Sequence, residues 1–199
     1  MRYELIAIDL QNDFATEGGK HYKSRACIGF LKQELFPFLQ ENNLNINEIV
    51  SDYRQPRPGD RGVGCTPGEW SYESIVPEEL VKSTWIKCMN SPLWTRDNAG
   101  IADVEPGLPR QDVEGFTNWL NENIGSPEDS TPVLFGLTAD CCVLSTAQEL
   151  NWRAYYPLIL KEGVDHYSGK SEDTETVLKS PMSNWADVIE WNDLKGKLI

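Results

Sequence analysis

Apolar and polar positions divide the chain into strand-like runs and helix-like stretches that take turns along its length. "YELIAIDL" (Tyr3–Leu10) is a short apolar run that ends on an acid, the pattern of a buried strand. "INEIVSDY" (Ile46–Tyr53), "STWIK" (Ser83–Lys87) and "TPVLFGL" (Thr131–Leu137) repeat it. "YYPLILK" and "ADVIEW" complete a set of about six strands. Pro157 offers no N–H to a sheet ladder, so the fifth strand should start weakly. Between these runs, "RACIGFLKQELFPFLQENN" carries apolar residues at helical spacing, with Pro37 expected to end or kink the helix. "RQDVEGFTNWLNENIG" places Val113, Phe116, Trp119, Leu120 and Ile124 on one face and stops at Gly125. A further helix is expected from Cys142 to Trp152.

Strands that alternate with helices read as βαβ units, which give an α/β fold. The expectation is a three-layer α/β/α, Rossmann-like domain with a mostly parallel sheet, one domain over residues 1–199. Sheets of this kind bind ligands beyond the carboxyl ends of their strands. The residues where strands stop are therefore the ones to inspect. They are Asp9 after "LIAI", Asp52 after "NEIVS", Lys87 after "STWI", and the "LTADCC" turn after "PVLFG".

Composition narrows the partners. A length of 199 residues with 40% hydrophobic content suits one ordinary globular domain. The formal charge of −13 argues against nucleic acid and against an anionic membrane surface, both of which need basic surface. No apolar run approaches the ~18 residues of a membrane span. The N-terminal apolar run is short and lacks a cleavage pattern, so a cytoplasmic location is the default expectation. Five cysteines, odd in number and irregularly spaced, read as free thiols rather than as a disulfide framework. With no CxxC pair, a zinc site is not expected.

The "LTADCC" turn is the place for a nucleophile. Asp140 is a suitable N-cap residue, which would put Cys142 in the first turn of a helix, where backbone N–H groups favour an anion. Those N–H groups could also hold an oxyanion. Cys141, one residue earlier, would point elsewhere. The same positions equally suit two small hydrophobes at a strand–helix junction. Lys87 could stabilise a thiolate and Asp9 could accept its proton, although a solvated lysine and a turn-forming aspartate are the bland alternatives. The two histidines, His21 and His166, sit at no strand end and read as ordinary loop residues.

These residues together resemble the isochorismatase-like superfamily of cysteine hydrolases, which includes nicotinamidases and N-carbamoylsarcosine amidohydrolase. "IDLQNDF" follows a D-x-Q-x-D-F opening through Asp9, Gln11, Asp13 and Phe14, and "EGG" (Glu17–Gly19) continues it. "KCMNSPLW" supplies Lys87 with Ser91 four residues on, while Pro92 and Leu93 replace the usual small-then-aromatic pair. "GLTADCCVLSTA" is similar to G-x-x-T-D-x-C-V-x-x-T-A, with Gly136, Asp140, Val143, Thr146 and Ala147 in register. The loop Cys65–Leu80 adds to the likeness. The resemblance implies an Asp9, Lys87, Cys142 triad with Cys142 as nucleophile. It also implies a cis peptide between Leu137 and Thr138, which would aim the Thr138 and Cys142 N–H groups at an oxyanion.

What the resemblance implies about substrate is narrower. Nicotinamidases hold a metal through an aspartate and histidines after the second strand; here Asp52 remains, but Arg54 stands where a histidine would be. No metal and no cofactor are therefore expected, and nicotinamide is a poor substrate. The nucleophilic cysteine also disfavours vinyl-ether hydrolysis. The expected activity is thioester-forming hydrolysis of a non-peptide C–N bond in a small amide or carbamoyl compound. Phe14, Arg54 and Trp94 are candidates to line the pocket, Arg54 as a partner for a substrate carboxylate. A thiol-redox protein and a non-catalytic binding protein of the same fold are the alternatives. The resemblance further implies a homo-oligomer. The long stretch Thr95–Asp112 could be a lid, an interface or a plain insertion.

Overall fold

The structure is a computed structural model and describes residues 2–57 and 62–199. Its chain runs β1 (Arg2–Ile8), α1 (Asn12–Ala15), α2 (Ala26–Phe30), α3 (Phe36–Glu41), β2 (Ile46–Ser51), β3 (Val81–Lys87), β4 (Trp94–Thr95) and β5 (Arg110–Gln111). It continues through α4 (Val113–Asn123), β6 (Ser130–Leu137), α5 (Leu144–Asn151), β7 (Leu158–Asp165), α6 (Ser171–Lys179), β8 (Asp187–Ile189) and α7 (Trp191–Lys195). The main sheet has six strands in the order β3-β2-β1-β6-β7-β8, and every pairing in it is parallel. β4 and β5 form a separate antiparallel pair.

Because strand side chains alternate between faces, a strand with apolar residues at both parities must be covered on both sides. In β1, Leu5 and Ala7 join one buried cluster with Leu31, Leu35, Leu39 and Trp191, from α2 to α3 and from α7. Ile6 and Ile8 join a second with Phe116, Leu120, Ala147 and Leu150, from α4 and α5. The two clusters are the two interlayer cores of the α/β/α sandwich.

Two local expectations are corrected and a third holds. Pro37 does not end its helix: the chain stays helical from Ala26 to Glu41 by widening into a π turn at Leu31–Leu35. The wider turn lies one turn before the ring, where a proline would otherwise clash with a carbonyl and leave it without a donor. Val113 faces solvent at the start of α4, because Asp112 caps that helix through the Gly115 N–H and the buried face begins at Phe116. The weak start at Pro157 does hold, and β7 begins one residue later at Leu158.

Parallel pairing gathers the carboxyl ends of β1, β2, β3 and β6 on one edge. Ser51 stands opposite Lys87, and Ile8 stands opposite both Ile49 and Gly136. At Gly136 the strands come so close that a Cβ would collide with the backbone of Ile8, and its φ of 115° is one that glycine alone adopts freely. Asp9, just past β1, also turns with positive φ (49°) and anchors its N–H on the Ile49 carbonyl at 2.9 Å.

Candidate active site

Lys87 organises the edge. Its side chain is 0% exposed, and an ammonium ion taken out of water is costly unless it is fully paired. Its Nζ lies 2.8 Å from Asp9 Oδ2, 2.7 Å from Ser51 Oγ, 3.1 Å from the Tyr53 hydroxyl and 3.4 Å from Cys142 Sγ. An ammonium has three protons for these four neighbours, so one contact is always available to be exchanged. Ser51 Oγ donates in turn to Asp9 Oδ1 at 2.8 Å, and Gln11 fixes Ser51 through its backbone N–H and carbonyl. Burial pulls the Lys87 pKa down, but Asp9, Cys142 and Tyr53 outweigh it and hold the amine well above its ordinary range. The site is thus built around a fixed positive charge.

Cys142 sits at the end of this network, almost wholly buried. The Tyr53 hydroxyl reaches its sulfur at 3.4 Å, and the thiol donates towards Asn90 Oδ1 at 3.8 Å. Asp9 and Cys142 share no hydrogen bond of their own among the described residues; Lys87 Nζ lies between them. The neighbouring Cys141, burial and the Asp9 charge push the Cys142 thiol well above the usual cysteine range, against the pull of Lys87. Cys142 belongs to a π turn (Ala139–Val143) that precedes α5, and the residue flanking that turn is Thr138, not Asp140. The Asp140 carboxylate instead takes the Tyr167 N–H at 3.0 Å and meets His166 Nε2 at 3.2 Å.

The Leu137–Thr138 peptide is cis, at the position the resemblance implies. The Thr138 carbonyl accepts from the Cys141 and Val143 N–H groups, which folds the turn back onto itself.

A cavity of about 720 Å³ opens over the sulfur, lined by Phe14, Tyr53, Asn90, Thr138, Cys141 and Cys142. Lys20, His21, Arg57 and Tyr167 form the rest of its wall. Cys141 therefore faces the same space as Cys142 and does not point away from it. Phe14 lines the cavity and is also part of the core. Two other candidates do not reach it. Arg54 turns away, clamping Asp52 through Nη2 at 2.7 Å and Nε at 3.0 Å and donating to the carbonyls of Asn98, Ile101 and Val104. In the extended chain Tyr53 and Arg54 face opposite sides, and Tyr53 takes the inward one. Trp94 is held in the β4–β5 pair, its carbonyl accepting from the Cys88 N–H, and contributes nothing to the wall.

Arg54 also decides the metal question on chemical grounds. Both oxygens of Asp52 are engaged by its guanidinium, and Gly100 N–H binds the same carboxylate at 3.1 Å. Among the described residues no group of three His, Cys, Asp or Glu side chains is placed to hold a metal. The residues present do not fit a metal site of the nicotinamidase kind.

Several residues of the site escaped the sequence reading. Ser51, Tyr53 and Asn90 each touch Asp9, Lys87 or Cys142, and His21, read as an ordinary loop residue, lines the cavity. His21 stacks on Phe14 with ring centroids 5.2 Å apart and meets Asp13 Oδ2 through Nδ1 at 3.1 Å. The signal was present in the sequence, since Asp13 and Phe14 belong to the D-x-Q-x-D-F stretch and His21 follows eight residues after Asp13.

No family model matches the sequence, and no curated protein is similar to it at a significant level. Comparison of structures does find relatives. An isochorismatase-like hydrolase from Alkaliphilus metalliredigens superposes with a TM-score of 0.64 at 20% identity, over 100% of this chain and 97% of its own. The fold is that of the isochorismatase-like hydrolases. A nicotinamidase from Bacillus subtilis gives a TM-score of 0.64 at 21% identity, covering 96% of this chain and 100% of its own. N-carbamoylsarcosine amidase from Thermoplasma acidophilum gives 0.64 at 18% identity, covering 96% of each chain.

Proposed function

We propose that the chain is a cysteine-dependent amidohydrolase of the isochorismatase-like superfamily, acting on a non-peptide C–N bond in a small amide or carbamoyl compound. The observation that carries this reading is the contact of one buried ammonium, Lys87 Nζ, with Asp9, Tyr53 and Cys142 under a cavity. Similarity of fold to nicotinamidase and to N-carbamoylsarcosine amidase supports it.

In this mechanism the resting thiol is protonated. As substrate fills the cavity, the sulfur leaves Asn90 and turns inward, and Asp9 accepts its proton; catalytic contacts of this kind commonly tighten only in the complex. Lys87 and the Tyr53 hydroxyl stabilise the thiolate as it forms. The thiolate attacks the carbonyl carbon, and the backbone N–H groups of Thr138 and Cys142 receive the oxyanion. The C–N bond breaks as Asp9 returns its proton to the leaving nitrogen, releasing ammonia or an amine and leaving a thioester on Cys142. Water, deprotonated by Asp9, then attacks the thioester; acid is released and the proton goes back to the thiol.

Ammonia release from a panel of small amides, ureido and carbamoyl compounds tests this. Turnover should vanish in Cys142→Ala and persist in Cys141→Ala. Turnover that survives in Cys142→Ala, or none with any compound, would count against the proposal.

A further inference from the structure

Cys141 has no part in the proposed hydrolysis, yet it lines the cavity beside the nucleophile. Side chains on consecutive residues of a regular α-helix point about 100° apart. Here two consecutive cysteines face one cavity, and both belong to the widened turn Ala139–Val143 rather than to α5. The two thiols are not equivalent. Cys142 is almost wholly buried, whereas Cys141 is half-buried. The neighbouring Cys142, with the charge of Lys87, holds the Cys141 thiol below the usual cysteine range, against burial and the Asp140 carboxylate. Cys142 is pushed the other way. Thiolate character and exposure together select which cysteine is oxidised. Cys27, Cys65 and Cys88 have neither, being buried with thiols held above the usual range.

We infer that Cys141 is a peroxide-reactive modification site whose oxidation Cys142 resolves, so that a disulfide between the two adjacent cysteines reversibly withdraws the nucleophile. The Cys141 thiolate attacks the outer oxygen of a hydroperoxide. The O–O bond breaks, the alkoxide leaves and takes up the proton the thiol had shed, and Cys141 becomes a sulfenic acid. The Cys142 sulfur then attacks the sulfenic sulfur. The S–S bond forms as the S–O bond breaks, and hydroxide leaves with the Cys142 thiol proton as water. The hydroperoxide is the oxidant and takes two electrons in all, one from each sulfur. Consecutive Cα atoms are about 3.8 Å apart, closer than the ~4.4–6.8 Å usual for a disulfide, so such a ring is strained and readily opened by a dithiol. That the withdrawn sulfur is a catalytic nucleophile rests on the proposed function; the oxidation itself stands on the cysteine pair alone.

Trypsin releases Cys141 and Cys142 together on the peptide 111–153, which holds no other cysteine. The intact protein is treated with hydrogen peroxide, its remaining thiols are blocked with N-ethylmaleimide, and the mass of that peptide is measured. Wild type should yield the peptide lighter by two hydrogen atoms and unlabelled, and dithiothreitol should restore both thiols. Cys142→Ala should stop at the sulfenic acid on Cys141, trapped by dimedone. With a compound found in the ammonia assay, peroxide should inactivate wild type roughly tenfold faster than Cys141→Ala or Cys141→Ser, each measured against its own untreated activity, and dithiothreitol should reverse the loss. Oxygen gained at Cys142 while Cys141 stays reduced, a disulfide to any other cysteine, or equally fast inactivation of the Cys141 variants would overturn the inference. Formation of the disulfide in a protein that hydrolyses nothing on the panel would overturn the hydrolase reading and leave this site standing. Hydrolysis that peroxide leaves untouched would do the reverse.

Discussion

Replacing Lys87 by methionine, which keeps the length of the side chain and removes its charge, probes the core of the site. At 2.8 Å the Lys87–Asp9 pair is worth about 6 kcal/mol of Coulomb energy at an effective dielectric of about 20. Desolvating each ion costs several kcal/mol, so the pair as a whole is close to neutral for stability. Breaking it from one side is different. Lys87→Met leaves the Asp9 carboxylate, 1% exposed, with Ser51 as its remaining side-chain partner. The expected loss is about 3–5 kcal/mol, and Asp9→Asn, which strands the ammonium, should cost about as much. The double variant removes both charges and should cost less than the two losses together, a coupling of about 2–3 kcal/mol. Urea denaturation of the four proteins at neutral pH measures this. The sign of the pH dependence is also fixed. The folded Lys87 pKa is raised above the ordinary 10.5, so its stabilising contribution is fully present below that value. The gap between wild type and Lys87→Met should stay constant through neutral pH and close only in strong alkali. Additive single losses, or a gap that closes near neutrality, would refute the reasoning.

Three other outcomes follow from contacts elsewhere. Burial raises the Asp13 pKa, but His21, the Lys20 N–H and Cys65 together lower it below its ordinary 3.8. The stability it contributes is therefore present above 3.8 and lost as pH falls through the lower folded value; Asp13→Asn should cost about 1–3 kcal/mol at neutral pH and converge with wild type in strong acid, read by denaturation across pH. Arg54→Met should leave Asp52 buried without its cation, costing about 3–5 kcal/mol and speeding amide hydrogen exchange over residues 98–104, where three carbonyls lose their donor. Because Cys141, burial and Asp9 hold the Cys142 thiol well above the ordinary cysteine range, its alkylation by iodoacetamide should still be accelerating at pH values where free cysteine has levelled off. A plateau at the free-cysteine midpoint would contradict that.

Asp9, Lys87 and Cys142 were legible because each stands where an apolar run stops, and parallel pairing carries such stops to one edge. That argument needs no knowledge of which strands are neighbours. Tyr53 and Asn90 needed it, since Tyr53 and Cys142 are 89 residues apart and meet only once β2, β1 and β6 lie side by side. Arg54 was placed wrongly by a single step of strand parity, a choice that turns every side chain to the other face. Trp94 failed for a related reason, because the β4–β5 pair is too short to show a periodic signal. Pro37 shows propensity overridden by a locally widened helix. His21 had no strand end to mark it; its place follows from the loop that Asp13 fastens.

The central claim is that Cys142 carries the substrate acyl group. Rapid acid quench during turnover of a compound identified in the ammonia assay, followed by intact-mass and peptide mass analysis, tests it most directly. The account predicts a mass increase equal to substrate less its leaving amine, located on the peptide at Cys142, labile to hydroxylamine and absent from Cys142→Ala. An adduct on Cys141, or steady turnover by the wild type that leaves Cys142 unmodified at every quench time, would contradict it.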